Sequence, residues 1–150
     1  MSEVDSAVDS ILRDCTLRDC TDDVLGTMLF AGIVGDAAIQ LLQVQPLLSK
    51  TIQISGPLTG TFRLAITMDA ADALAADFLG LLLLPDCAAV DQVMGELANM
   101  ICGAALSRIE PDALFGLSHP EPDSTPIHND GTFQCFELER GLLAVSLELS

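Results

Sequence analysis

Hydrophobic positions along this chain change period several times, and each change marks an element. After Thr21-Asp22-Asp23, residues able to cap a helix, Val24, Leu25, Met28, Leu29 and Ile33 recur at mostly three- and four-residue steps. They predict a helix that is apolar almost all round and therefore central. Residues 51–55 (TIQIS) alternate, 56–60 (GPLTG) carry turn residues, and 61–67 (TFRLAIT) alternate again, which predicts a β-hairpin. Asp69 then caps a helix to about Leu79, with Leu74, Phe78 and Leu79 on its buried side and Gly80 suited to its end. Residues 81–84 form an apolar connector stopped by Pro85-Asp86. A long helix is predicted from about Ala88 to Ile109, ending at Glu110-Pro111. Two further alternating runs, 132–139 (TFQCFELE) and 142–149 (LLAVSLEL), meet at a tight turn placed at Arg140-Gly141. Residues 35–49 fit a helix end, a strand, or one after the other.

These elements amount to an α+β architecture: a mostly antiparallel sheet of about six strands packed against two long helices, plus a smaller helix. Residues 1–20 alternate acidic and small side chains, which predicts an acidic tail or surface helix ahead of a domain over 21–150. A chain of 150 residues suits one domain with a real core.

Charge narrows the function. There are 22 acidic residues against 6 basic ones, a net charge of −16. The basic residues (Arg13, Arg18, Lys50, Arg63, Arg108 and Arg140) are scattered, so no cluster can neutralise a run of phosphates. Nucleic acid and anionic membrane surfaces are therefore disfavoured as partners. Residues 24–42 are long and apolar enough to resemble a membrane span, but they contain Asp36 and Gln40 and lack flanking Lys or Arg. A buried helix and a turn at Gly35-Asp36 fit better. Five cysteines, an odd number with no secretory pattern, point to a reducing cytoplasm.

Several chemical motifs fail on context. Cys102 and Arg108 match the Cys-x5-Arg pattern of cysteine phosphatases, but that chemistry needs backbone N–H groups free to cradle phosphate ahead of a helix. Cys102 lies mid-helix, where those groups are already bonded. Cys15 and Cys20 have no second ligand pair at zinc spacing. His119 and His128 share one loop with no nucleophile in a recognisable setting, and a loop metal site there is one reading against plain surface histidines.

The long helix carries two stripes. Val93, Leu97, Met100, Ile101 and Ala104 form an apolar one; Gln92, Glu96, Asn99 and Gly103 form a thin polar one, with Gly95 beside it. Glycine inside a helix costs about 1 kcal/mol relative to alanine. Two glycines and several alanines leave low relief, so another surface could approach the backbone closely. From the residues alone, Glu96 and Asn99 fit either a solvated face or a working one.

Residues 96–103 (ELANMICG) resemble the helix signature of the CheC/CheX family of chemotaxis phosphatases, Glu-x-x-Asn, which continues Met-Ile-x-Gly in the CheX branch. Residues 24–30 resemble the first helix of CheX-like domains, 54–68 their glycine-containing hairpin, and 69–80 the small helix after it. The resemblance covers roughly residues 22–150. It implies a phosphatase acting on the phospho-aspartate of a CheY-like response-regulator receiver domain. Asn99 would orient a water in line with phosphorus; Glu96 would pair with the receiver's active-site lysine and hold it off the phosphate. Gly95 and Gly103 would give clearance, and Gln92 would touch the partner where some relatives carry Asp or Ser. The chain would bind no cofactor itself, the Mg²⁺ belonging to the receiver. Two-site relatives repeat Glu-x-x-Asn on the first helix; residues 22–35 hold no Asn, so one site is expected. The C-terminal strand pairs could support a homodimer. The alternative is a non-catalytic receiver-binding or oligomeric signalling module of the same fold.

Overall fold

The chain runs α1 (Glu3–Leu29), β1 (Gly35–Asp36), α2 (Ile39–Gln43), β2 (Leu47–Ser55), β3 (Gly60–Thr67), α3 (Met68–Leu79), α4 (Cys87–Ile109), β4 (Gly116–Leu117), β5 (Glu121–Pro122), β6 (Gln134–Leu138) and β7 (Gly141–Leu149). This is a computed structural model that describes the backbone of residues 3–29, 31–83 and 85–150 and the side chains of 16–29, 31–83 and 85–150. The N-terminal part of the proposed tail is therefore described as backbone only, and the Arg13 and Cys15 side chains lie outside the described residues.

All strand pairings are antiparallel, in the order β1-β6-β7-β3-β2-β4, with β5 also on β2. The α+β class holds. Among the described residues the sheet has seven strands, in keeping with about six; three of them, β1, β4 and β5, are two residues each, too short for alternation to reveal.

Alternation along the central strands assigns each residue to a face. Ile52, Ile54, Phe62, Leu64, Ile66, Leu143, Val145 and Leu147 join the main core with residues of α1, α3 and α4. Ala65, Leu142, Ala144 and Cys135 form a smaller cluster with Ile39 and Leu42 of α2. The ambiguous 35–49 segment is thus β1, α2 and the start of β2. Among the described residues no helix is long and apolar enough to cross a membrane.

Several boundaries differ from the sequence reading. α1 runs unbroken through Thr21–Asp23, so the divide between 1–20 and 21–150 falls inside one helix, with Leu17 and Cys20 in the core on its early side. Thr21 Oγ1 instead donates to the Leu17 carbonyl at 2.7 Å, and Asp22 Oδ1 accepts the Ile33 N–H at 2.8 Å as the chain returns. Thr67 rather than Asp69 stands at the N-cap position of α3, but its Oγ1 accepts the Leu142 N–H and makes no cap, and the helix ends on Gly80 at φ 68°. Its Leu74 is buried, but Phe78 and Leu79 are 40% and 42% exposed, because they lie in its last turn, beyond the core. The β6–β7 turn is Glu139-Arg140, with Leu138 opposite Gly141. Gly141 has φ 148°, and a Cβ there would lie 2.3 Å from Thr67 Oγ1.

Candidate functional site

Helix α4 begins where Asp86 Oδ1 accepts the Ala89 N–H at 2.8 Å, an ordinary side-chain cap. Its buried face is Val90, Val93, Met94, Leu97, Ala98, Ile101, Cys102 and Ala105, a stripe centred on the sheet and α1. Met100, expected in that stripe, is instead 43% exposed. The reason is angular: Glu96, Asn99, Met100 and Gly103 stand at i, i+3, i+4 and i+7, one face of the helix. That face points away from the core.

The wall beside this face comes from the edge of the sheet. Residues 116–123 zip along β2: Leu117 stands opposite Ile54, and Glu121 opposite Thr51. Between them, three residues of the incoming strand face only two of β2, a β-bulge. Ser118 anchors it, its N–H donating to the Gln53 carbonyl at 2.9 Å and its Oγ accepting the Gln53 N–H at 2.8 Å. The bulge pushes His119 and Pro120 toward α4. Pro120 is buried there, and a Cβ on Gly95 would lie 3.6 Å from its Cβ.

From below, Lys50 reaches the same place. It shares the core-facing side of β2 with Ile52 and Ile54, and is only 3% exposed. Its stem runs beneath the helix as an apolar residue would. Its Nζ meets Asp91 Oδ1 of α4 at 2.6 Å. The result is a hollow of 270 Å³ between α4 and the bulge. Lys50, Asp91, His119 and Pro120 line one part of it, and Gln92, Gly95, Glu96 and Asn99 the other.

The sequence-predicted residues therefore fall as follows. Glu96 and Gln92 are exposed at the rim and Asn99 is half-buried. Neither the Glu96 carboxylate nor the Asn99 amide is held by another group among the described residues. Gly95 is buried, its clearance taken up by the protein's own Pro120. Gly103 lies outside the hollow and faces open space, with nothing within 4 Å of a Cβ built on it. Sequence reasoning missed Lys50, Asp91, Pro120 and the exposure of Met100, and weighed His119 only as a surface or metal-binding histidine. The available signal for Lys50 was that it is the chain's one lysine, placed just ahead of the alternating run 51–55.

The arrangement offers a carboxylate free to receive a cation, an amide that both donates and accepts, an imidazole, and an ammonium held by its own counter-ion. The competing motif is inert. Cys102 is fully buried, and burial pushes its thiol up to about 12, so no thiolate forms at neutral pH. Arg108 is engaged with Asp23 of α1. Among the described residues no group of three or more His, Cys, Asp or Glu could hold a metal ion, the His119/His128 loop included. Hollows of 390 and 610 Å³ lie around α3 and do not include α4 residues.

Solved structures share the fold. CheX from Desulfovibrio desulfuricans matches at 19% identity with a TM-score of 0.70, over 92% of this chain and 99% of that one. CheX from Vibrio vulnificus matches at 19% identity with a TM-score of 0.69, over 89% and 93%. The CheX–CheY–BeF3–Mg²⁺ complex from Borrelia burgdorferi matches at 16% identity with a TM-score of 0.67, over 89% and 95%. No curated protein sequence matches the chain. The family model described as chemotaxis phosphatase CheX matches residues 48–129, from the start of the hairpin through α4 to the end of the bulged edge segment and beyond. The match takes in every residue that lines the hollow, and the chain belongs to the CheX family of chemotaxis phosphatases.

Proposed function

We propose that this chain hydrolyses the phospho-aspartate of a CheY-like receiver domain, with Asn99 orienting the attacking water and Glu96 pairing with the receiver's lysine. One observation carries the reading. Glu96 and Asn99 stand one turn apart on the uncovered face of α4, line one hollow, and neither side chain has an internal partner among the described residues. A carboxylate and an amide left untied at a rim are available to a second molecule. The Borrelia CheX–CheY complex supports the class of partner.

The receiver supplies both the acyl phosphate and its Mg²⁺. Phosphoryl transfer needs little from the protein beyond positioning and charge placement, and an amide can orient the attacking water. The Asn99 carboxamide accepts a hydrogen bond from water and donates to a phosphoryl oxygen, holding the two in line. Glu96 takes up the ammonium, setting the register of docking and keeping that charge off the phosphate. Gln92 and exposed Met100 extend the contact on either side.

The test is the decay of a receiver phosphorylated with acetyl phosphate and Mg²⁺. The wild-type chain should speed decay. Asn99→Ala should lose about 10²-fold of that acceleration, the size expected for a group that acts in the transition state. Glu96→Lys should abolish docking by repulsion between like charges. Equal decay with wild type and Asn99→Ala would sink the catalytic reading and leave a receiver-binding module.

A further inference from the structure

The hollow contains two carboxylates on one helix, Asp91 and Glu96, and a single lysine, Lys50. Lys50 is bound to Asp91 at 2.6 Å, while Glu96 has no ion-pair partner among the described residues. The Asp91 side chain is 53% exposed, so an incoming ammonium could reach it were Lys50 absent. We propose that Lys50 is a specificity-determining residue: by occupying Asp91 from within, it leaves Glu96 as the one carboxylate of the hollow open to the partner's lysine.

The geometry makes the choice matter. Asn99 lies three residues from Glu96 but eight from Asp91, and at about 1.5 Å per residue that is ~4.5 Å against ~12 Å along the helix. A receiver whose lysine sat on Asp91 would hold its phosphoryl group more than a helical turn from the amide. Such a complex binds but does not react. With Lys50 in place the hollow's carboxylate and ammonium groups sum to one net negative charge, centred on Glu96. Without it there would be two acceptors in competition.

This inference rests on the phosphatase reading, and its signature differs from that of a mere structural tether. Non-productive binding lowers kcat and KM together and leaves kcat/KM intact, because productive binding itself is unchanged. Lys50→Met keeps an apolar stem of similar length in the core. It should lower both constants by the same factor, about two-fold for two acceptors of equal strength. The double variant Lys50→Met with Asp91→Asn should restore both, since the second acceptor is gone. A tether would instead lower kcat/KM in Lys50→Met and gain nothing from the second change; that pattern overturns the proposal.

A binding arm reads the same idea without catalysis, by titrating the phosphorylated receiver domain with Mg²⁺. Glu96→Gln should lose affinity, and Glu96→Gln with Lys50→Met should recover part of it through Asp91. No recovery overturns the proposal as well. If the wild-type chain binds but fails to speed decay, the phosphatase reading falls while this arm still decides the role of Lys50.

Discussion

Gly95 and Gly103 both lie inside α4, yet only Gly95 is covered. A Cβ on Gly103 would meet no heavy atom within 4 Å, whereas one on Gly95 would touch Pro120 at an ordinary 3.6 Å. Neither site resists a methyl group, and glycine in a helix interior costs up to about 1 kcal/mol relative to alanine. Gly103→Ala should therefore stabilise the chain by roughly 0.5–1 kcal/mol. In a domain of this size each kcal/mol is worth about 2–4 °C in Tm. Gly103→Leu keeps most of that gain, since leucine is nearly as good a helix former. It also plants a branched side chain four residues past Asn99, on the face where the receiver is proposed to dock. Stability and activity should then move in opposite directions. Thermal melts followed by circular dichroism should show Tm at or above wild type for both variants. Steady-state dephosphorylation should show KM raised about tenfold or more for Gly103→Leu, an interface cost of ~1.4 kcal/mol or more. Gly95→Ala is the control: it faces the protein's own loop, so its Tm should rise while its kinetics stay within about two-fold of wild type. A Gly103→Leu chain with wild-type kinetics would refute the docking face. A lowered Tm would refute the clearance argument.

Cys102→Ala should leave the proposed phosphatase activity at its wild-type level and lose only about 1 kcal/mol of stability for the small cavity it leaves, read by kinetics and a denaturant titration. In the native protein iodoacetamide should label exposed Cys87 while buried Cys102 stays unmodified, as mass spectrometry of the digested protein would show. Asp123 sets an acid limit. Burial pushes its carboxyl up, but hydrogen bonds from Arg63 and Thr125 and the nearby guanidinium outweigh that and hold it below its ordinary value. A carboxyl lowered by folding stabilises the native state above its unfolded pKa of about 3.9 and loses that contribution as pH falls through the folded value. Asp123→Asn should thus be less stable than wild type near neutrality, by about 1–3 kcal/mol, with the gap closing only below about pH 4 in melts across pH.

The long elements were legible because their periods are clean. Alternation gave the β2–β3 hairpin and both C-terminal strands, and Gly80 marked the end of α3 by its capping chemistry, whereas the Asp86 cap of α4 is seen only in the fold. The start of the domain was not legible for the same kind of reason. Thr21, Asp22 and Asp23 are good caps, so the sequence predicts a helix start there. In the fold Thr21 turns its hydroxyl back onto Leu17 and Asp22 is used by Ile33, so residues with capping chemistry serve contacts inside and across the helix. The two-residue strands β1, β4 and β5 exist only through their pairing and leave no local signal.

The candidate site divides along the same line. Glu96 and Asn99 could be placed on one edge by their spacing, because a helix fixes neighbours at three and four residues. Lys50, His119 and Pro120 could not, because they come from strands and a bulge far along the chain, and their meeting with α4 depends on sheet order. That placement also decides how a partner must approach. The bulge at 118–120 and the buried Lys50 close one side of the Glu96–Asn99 edge, and Pro120 covers Gly95. On the other side Met100 is exposed and Gly103 bare. On the proposed reading a receiver reaching Asn99 comes over Met100 and Gly103, and the side chain allowed at position 103 would then be set by the partner rather than by the fold.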